Sequence, residues 1–257
     1  MTMRVLVTND DGIDAPGLLV LARCAAEQGW EVVVAAPETE ASGTSAGLTA
    51  AAADRRVAVA DRTLPELPGT PAHAVAAHPG LIALSACHGA FGPPPDLVLS
   101  GVNLGANIGR QILHSGTAGA ALTASINDTR AAAISLDVPL HPVEPPHWDT
   151  AAAVLRDLLP LVAEQEPGRL VNINIPDREL ADVGPARWAG LARVGQVRSR
   201  VVRSAEGQIE VGSALVDDEL EPGTDAALLL AGHVTVSPVR SVHDAEAPHW
   251  ILPETWA

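Results

Sequence analysis

"MRVLVTNDDGIDAPGL", residues 3–18, begins as a short apolar run and breaks at Asn9, Asp10, Asp11 and Gly12. The run "RVLVT" has the length and β-branched content of a buried strand. The break has two readings. Asn, Asp and Gly tolerate the backbone angles of tight turns, and Asp-Gly is a frequent hairpin signal. Alternatively, two carboxylates stand where a buried strand stops because they hold a hard metal ion. On a regular strand adjacent side chains point to opposite faces, whereas a turn can bring both towards one ion.

Working outward from this stretch, residues 15–28 have the apolar spacing of an amphipathic helix ending near Gly29, and "EVVVAAP" (31–37) reads as a second strand. Strand, helix, strand implies a parallel, right-handed crossover, and in open α/β sheets ligands collect beyond the carboxyl ends of the strands. Residues 9–12 belong to that edge. "PDLVLSGVN" (95–103), "AAAISLD" (131–137) and "RLVNINIPD" (169–177) continue the strands, with helices predicted over "GTAGAALTASIND" (116–128) and residues 148–164. The expected fold is therefore α/β, a Rossmann-like, doubly wound, mostly parallel sheet with its core over about 1–185. Beyond it, "LARVGQVRSRVVRSAEGQIEVGSAL" (191–215) alternates around Glu206-Gly207 and reads as a hairpin arm over about 187–215. A short helix at "TDAALLLAG" (224–232), a strand at "HVTVSPV" (233–239) and a Pro- and Trp-containing tail follow. The whole chain, 1–257, reads as one domain with a C-terminal segment at about 220–257.

Composition narrows the chemistry. The chain has 257 residues, 47% hydrophobic and 18% charged, a balance that argues for a packed core rather than disorder. Its formal net charge is -15, and all 16 basic residues are Arg. Without Lys there is neither a P-loop nor a lysine Schiff base, and the acidity argues against nucleic-acid polymers, whose binding needs neutralised phosphates. No apolar run reaches the roughly 18 residues of a membrane span, and the N-terminus lacks a secretory pattern. A cytoplasmic protein without membrane attachment is expected. Cys24 and Cys87 form no metal signature, and Cys24 reads as a small buried thiol.

Three loops on the expected edge are rich in oxygen donors: "NDDG" (9–12), "ETEASGTS" (38–45) and "SGVNLGAN" (100–107). Such donors suit Mg, Mn or Ca. In "HSGTAGAA" (114–121), Ser115, Gly116 and Thr117 precede an Ala-rich helix. A helix start of this kind either receives an anion such as phosphate or is capped by its own hydroxyl. One competitor is a serine hydrolase, because Gly43, Ser45 and Gly47 match G-x-S-x-G and Asp225 and His233 follow in triad order. A nucleophile elbow needs a strand running straight into the serine turn, and the preceding strand ends at Pro37. The glycines of "GVNLGANIG", four apart, miss the dinucleotide fingerprint.

Taken together, "VLVTNDDGIDAPGL", "VVVAAPETEASGTSAGLT", "GTPAHAV", "PDLVLSGVNLGANIG", "HSGTAGAA", "VNINIP" and "GTD" through "GHVTVSP" resemble, in order and over most of the chain, the SurE family of metal-dependent nucleoside monophosphate phosphatases. The resemblance implies one divalent metal ion per subunit, Mg2+ or Mn2+, bound by Asp10, Asp11, Ser42 and Asn103. Asp10 doubles as general base or nucleophile. Asn9, Gly43, Asn107, Ser115, Gly116 and Thr117 are implied as phosphate or substrate contacts, and the substrate as a nucleoside 5'- or 3'-monophosphate. The family fold carries an extended hairpin and an exchanged C-terminal segment, so a homodimer or homotetramer is implied. This chain departs from the family at His73, where Asp is usual in "GTPxD", at His114 in place of Tyr, and at Thr123-Ala124 in place of Glu-Gly. Both histidines are expected to be hydrogen-bonded or solvated. None of these changes removes an implied metal ligand; a homologue that binds phosphate or nucleotide with little turnover is the rival reading.

Overall fold

The computed structural model describes residues 2–48, 56–139, 142–193, 197–203, 209–215 and 220–242. The Glu206-Gly207 turn, the Ala cluster at 50–53 and the tail from 243 onward lie outside them. β1 (Arg4–Thr8) enters α1 (Pro16–Glu27), whose Pro16 opens the first turn at a position where no amide hydrogen is needed. β2 (Glu31–Pro37), β3 (Val59–Arg62) and β4 (Ala72–Val75) follow, then α2 (Pro79–Cys87) and β5 (Leu97–Leu104). A 3-10 turn at Gly109–His114 leads into α3 (Gly116–Ser125), followed by β6 (Arg130–Asp137), α4 (Trp148–Ala163) and β7 (Leu170–Pro176). β8 (Gly184–Trp188), the pair β9 (Val197–Arg203) and β10 (Ile209–Leu215), α5 (Asp225–Leu230) and β11 (His233–Val239) complete the order.

Nine strands form one sheet in the order β3-β4-β2-β1-β5-β6-β7-β11-β8. From β2 through β7 neighbouring pairs are parallel, and β11 is antiparallel to β7 and parallel to β8. The mostly parallel, doubly wound architecture matches the sequence expectation. β9 and β10 pair antiparallel as a separate ribbon, from Val197 opposite Leu215 to Arg203 opposite Ile209. One boundary moves. Residues assigned to the C-terminal segment include β11, which lies inside the sheet between β7 and β8, and the sheet reaches Trp188 before the arm begins.

The chain places β2 on one side of β1 and β5 on the other. This reversal leaves a crevice beyond the carboxyl ends of β1 and β5, the usual ligand position in such sheets. Alternation along β1 sends Val5 and Val7 to the α1 and α4 face and Leu6 to the α2 and α3 face. Both faces are covered, which is why β1 and β2 read as near-continuous apolar runs.

Candidate active site at the β1 and β5 switch point

Asn9 closes the turn after β1. Its Nδ2 donates to the Gly12 carbonyl at 3.0 Å and its Oδ1 accepts the Gly12 N–H at 3.2 Å. Gly12 has φ +104, a backbone region open to glycine at little cost. Asn9 is fully buried and both ends of its amide are taken. In this structure Asn9 shapes the turn that presents the two carboxylates.

Asp10 is buried and Asp11 partly exposed. The Thr117 hydroxyl donates to Asp10 Oδ1, and the backbone N–H groups of Thr117 and Gly116 also favour its charged form. The close approach depends on Gly116. A Cβ there would sit 2.8 Å from Asp10 Cβ and Oδ2. Burial nevertheless raises the Asp10 pKa above its ordinary value. Asp11 is pushed up to about 6, first by burial and then by the charge of Asp10, with the Leu104 N–H opposing. Among the described residues no basic side chain acts on either carboxylate.

A further loop and the end of β5 are tied to this turn. Ala41 N–H donates to the Asp10 carbonyl at 2.7 Å, which ties the loop bearing Ser42 to the turn; Ser42 Oγ donates to Glu40 Oε1 at 2.8 Å. Leu104 N–H donates to Asp11 Oδ2 at 3.3 Å, which ties the end of β5, with Asn103, to the turn. Asn103 Nδ2 donates to the Gly105 carbonyl at 2.6 Å, leaving its Oδ1 as the donor oxygen for a ligand. The four residues implied as metal ligands thus come from two loops and the end of β5, tied together by the N–H groups of Ala41 and Leu104. Among the described residues no three of His, Cys, Asp and Glu gather as a metal cluster, so the set is two carboxylates and two neutral oxygens. It fits a hard divalent cation. Two neighbouring carboxylates, one buried and one partly exposed, with no basic partner among the described residues are the groups whose mutual repulsion such an ion relieves.

Gly43 is exposed and open, with nothing within 4 Å of a would-be Cβ. Asn107 is held from below: its N–H donates to Asn174 Oδ1 at 2.8 Å, its Nδ2 to Ser135 Oγ at 3.0 Å, and its carbonyl accepts Nδ2 of Asn172 at 2.8 Å and of Asn174 at 2.9 Å. Sequence reasoning passed over Asn172, Asn174, Ser135 and Glu40. The signal for the first two was present: alternate asparagines in "VNINIP", a strand buried on both faces, need partners.

The start of α3 takes both readings the sequence left open. Ser115 Oγ accepts the Ala118 N–H at 3.0 Å and is the N-cap, while the anion facing the Gly116 and Thr117 amides is the carboxylate of Asp10. Gly116 and Thr117, expected to line a phosphate pocket, therefore act on Asp10 in this structure, because the missing Cβ of Gly116 lets the helix end touch that side chain. The serine-hydrolase constellation is not assembled. Ser45 Oγ donates to the Leu113 carbonyl at 2.5 Å, Asp225 accepts backbone N–H groups, and His233 Nδ1 lies 3.2 Å from the Pro185 carbonyl. His73 pairs with Asp61 at 2.9 Å and stacks on Phe91, His114 is exposed, and Thr123 donates to the Gly119 carbonyl.

The family model described as "Survival protein SurE" matches residues 5–199. A protein of Paramagnetospirillum magneticum named "5'-nucleotidase SurE" is 35% identical over 245 residues, covering 93% of this chain and 90% of its own length. A protein of the same name from Xanthomonas oryzae pv. oryzae is 34% identical over 242 residues, with 92% and 89% covered. The crystal structure of the SurE protein from Aquifex aeolicus superposes with a TM-score of 0.73 at 26% identity, covering 92% of this chain and 93% of that one.

Proposed function

The chain belongs to the Survival protein SurE family, and on that premise we propose that it is a hydrolase of nucleoside monophosphates, acting on 5'- or 3'-phosphates with a divalent metal ion. The observation that carries the reading is the Asp10 and Asp11 pair at the β1 and β5 switch point, with the loop bearing Ser42 and the end of β5 bearing Asn103 bonded to it. Asp10, Asp11, Ser42 and Asn103 would hold the metal, Mg2+ or Mn2+. When bound, it supplies charge neutralisation and polarises the phosphoryl oxygens.

The chain's own residues do the rest. Gly116 and Thr117 hold Asp10 in one orientation, so no reorganisation is needed as charge develops. Asp10 is assigned to the attack, either taking a proton from the attacking water or attacking phosphorus itself. Acid-stable, base-labile phosphoprotein trapped by rapid quench identifies the second route, and its absence through a full turnover identifies the first. Gly43 leaves room at the mouth for a phosphate, and Asn107 and Ser115 supply its polar edge. Neutralisation by the metal accounts for an anionic substrate on a chain of net charge -15. No described helix is long and apolar enough to cross a membrane. A cytoplasmic homodimer or homotetramer, assembled through the β9 and β10 ribbon and the C-terminal segment, belongs to the same proposal.

The test is phosphate release from nucleoside 5'- and 3'-monophosphates and p-nitrophenyl phosphate, with Mg2+ or Mn2+ added and then chelated. Release that starts with metal and stops with chelator is expected. Asp11→Ala should lose about 10²–10³-fold in rate, the usual cost of removing one group that stabilises developing charge. No metal-dependent release from any of these substrates overturns the reading, and full activity of Asp11→Ala overturns the ligand set.

A further inference from the structure

We infer that Asp225 is a positioning residue for the site, fixing the loop that carries Asn107; the inference rests on the proposal that Asn107 edges the phosphate pocket. Asp225 lies 116 residues beyond that loop's Gly109 and is fully buried. Its Oδ2 accepts the Gly109 N–H at 2.7 Å, and its Oδ1 accepts the N–H groups of Ala192 at 2.9 Å and Ala226 at 2.8 Å. Two loops are thereby joined through one carboxylate. Arg110 N–H closes the ring by donating to the Ala192 carbonyl at 3.0 Å.

The same carboxylate sits where the chain leaves for the β9 and β10 ribbon and returns from it. Gly190 N–H donates to the Gly223 carbonyl at 3.1 Å, and Asp225 N–H donates to the Gly190 carbonyl at 2.8 Å. The root of the ribbon is therefore closed on itself and fastened to Gly109, two residues from Asn107. Capping α5 does not require this arrangement. Thr224 already does so, accepting the Ala227 N–H. The bonds from Asp225 to Gly109 and Ala192 reach outside the helix and are charge-assisted, the strong class of hydrogen bond. An asparagine in this place keeps one acceptor oxygen and turns an NH2 group towards a backbone N–H, so one of the two loops is released.

The experiment compares wild type, Asp225→Asn and Thr224→Ala by amide hydrogen exchange and by steady-state phosphate release with Mn2+. Asp225→Asn is expected to speed exchange at Gly109 or Ala192 at least about tenfold and to raise KM by about 10–100-fold, the range for a residue that orients a binding group. Its Mn2+ affinity should stay unchanged. Thr224→Ala is expected to lower Tm and leave KM and the exchange of Gly109 and Ala192 as in wild type. Unchanged exchange in Asp225→Asn, or an equal KM rise in Thr224→Ala, overturns the inference. Should Asp225→Asn fail to fold, the wild type decides: Gly109 and Ala192 must exchange only as slowly as the sheet core, and fast local exchange at both overturns the link. Absence of metal-dependent release by the wild type strikes the nucleotidase reading instead, while exchange alone decides whether Asp225 holds the loop.

Discussion

The two faces of the central sheet are built from different side chains. Under α1 and α4 the contacts are large and aliphatic, with Leu18, Leu21, Leu155 and Leu159 packed on Val7, Leu99, Ile134 and Ile173. Under α2 and α3 the helices present chiefly alanine, at 86, 118, 121 and 124, and the strands answer with Leu6, Val33, Val98 and Ala133. Towards the carboxyl edge this second face turns polar. By register, Thr8 lies beside Ser100, Ser135 beside Asn174, and Asn172 beside Ser237. The first face supplies burial, and each fully buried aliphatic side chain there is worth about 1.5–3 kcal/mol. The second trades bulk for proximity: a Cβ on Gly119 would come within 2.2 Å of the Ser45 carbonyl oxygen, so the loop bearing Ser42 lies directly on α3.

This contrast predicts that stability and activity can be damaged separately. Leu155→Ala, on the aliphatic face, should cost about 2–5 kcal/mol of unfolding free energy, the range for emptying a buried leucine site. Denaturant melts measure this. Activity per folded molecule should hold, and a proportional loss of turnover would show that the two faces are not independent. Gly116→Ala, on the small-residue face, pushes a methyl group into Asp10 and should reduce the phosphate-release rate about 100-fold, the effect of a misplacement of about 1 Å at reacting groups. Its melting curve should move much less than that of Leu155→Ala. The reverse ranking would break the comparison.

The smallest effect concerns a third carboxylate at the same edge, outside the Asp10 and Asp11 pair. Burial, and then the charge of Asp177, raises the Asp137 pKa, with Arg178 opposing. Below about 3.8, the ordinary value, the group is protonated in both folded and unfolded chains. As pH rises through the higher folded pKa the unfolded chain ionises more readily, and stability falls. Asp137→Asn should therefore match wild type in strong acid and exceed it modestly at pH 7, with phosphate release unchanged. Chemical melts at pH 3 and pH 7 test the sign.

The interior of the sheet was legible because its strands are buried on both faces and read as apolar runs. Both edge strands, β3 with its exposed Val59–Arg62 and β8 with its largely exposed Gly184–Trp188, were not expected, since an edge strand needs no such run. The short β4 and α2 were also missed. Asp10 and Asp11 stood out because polar residues interrupt an apolar run at a predictable place in a crossover. The Asn9 bonds to Gly12 were not legible in the same way: a turn-closing asparagine and a ligand-facing one look alike until their partners are known.

From its sequence alone the chain already dictated which segments cross the core and that two carboxylates stop the first strand at the sheet's ligand edge, because burial periodicity and turn chemistry are local. Tertiary structure decided that Gly116 and Thr117 hold Asp10, that Asn172 and Asn174 clamp Asn107, and that Asp225 reaches across 116 residues to Gly109. Such pairings depend on which loops the packed helices bring within hydrogen-bond distance, and no local pattern encodes that distance.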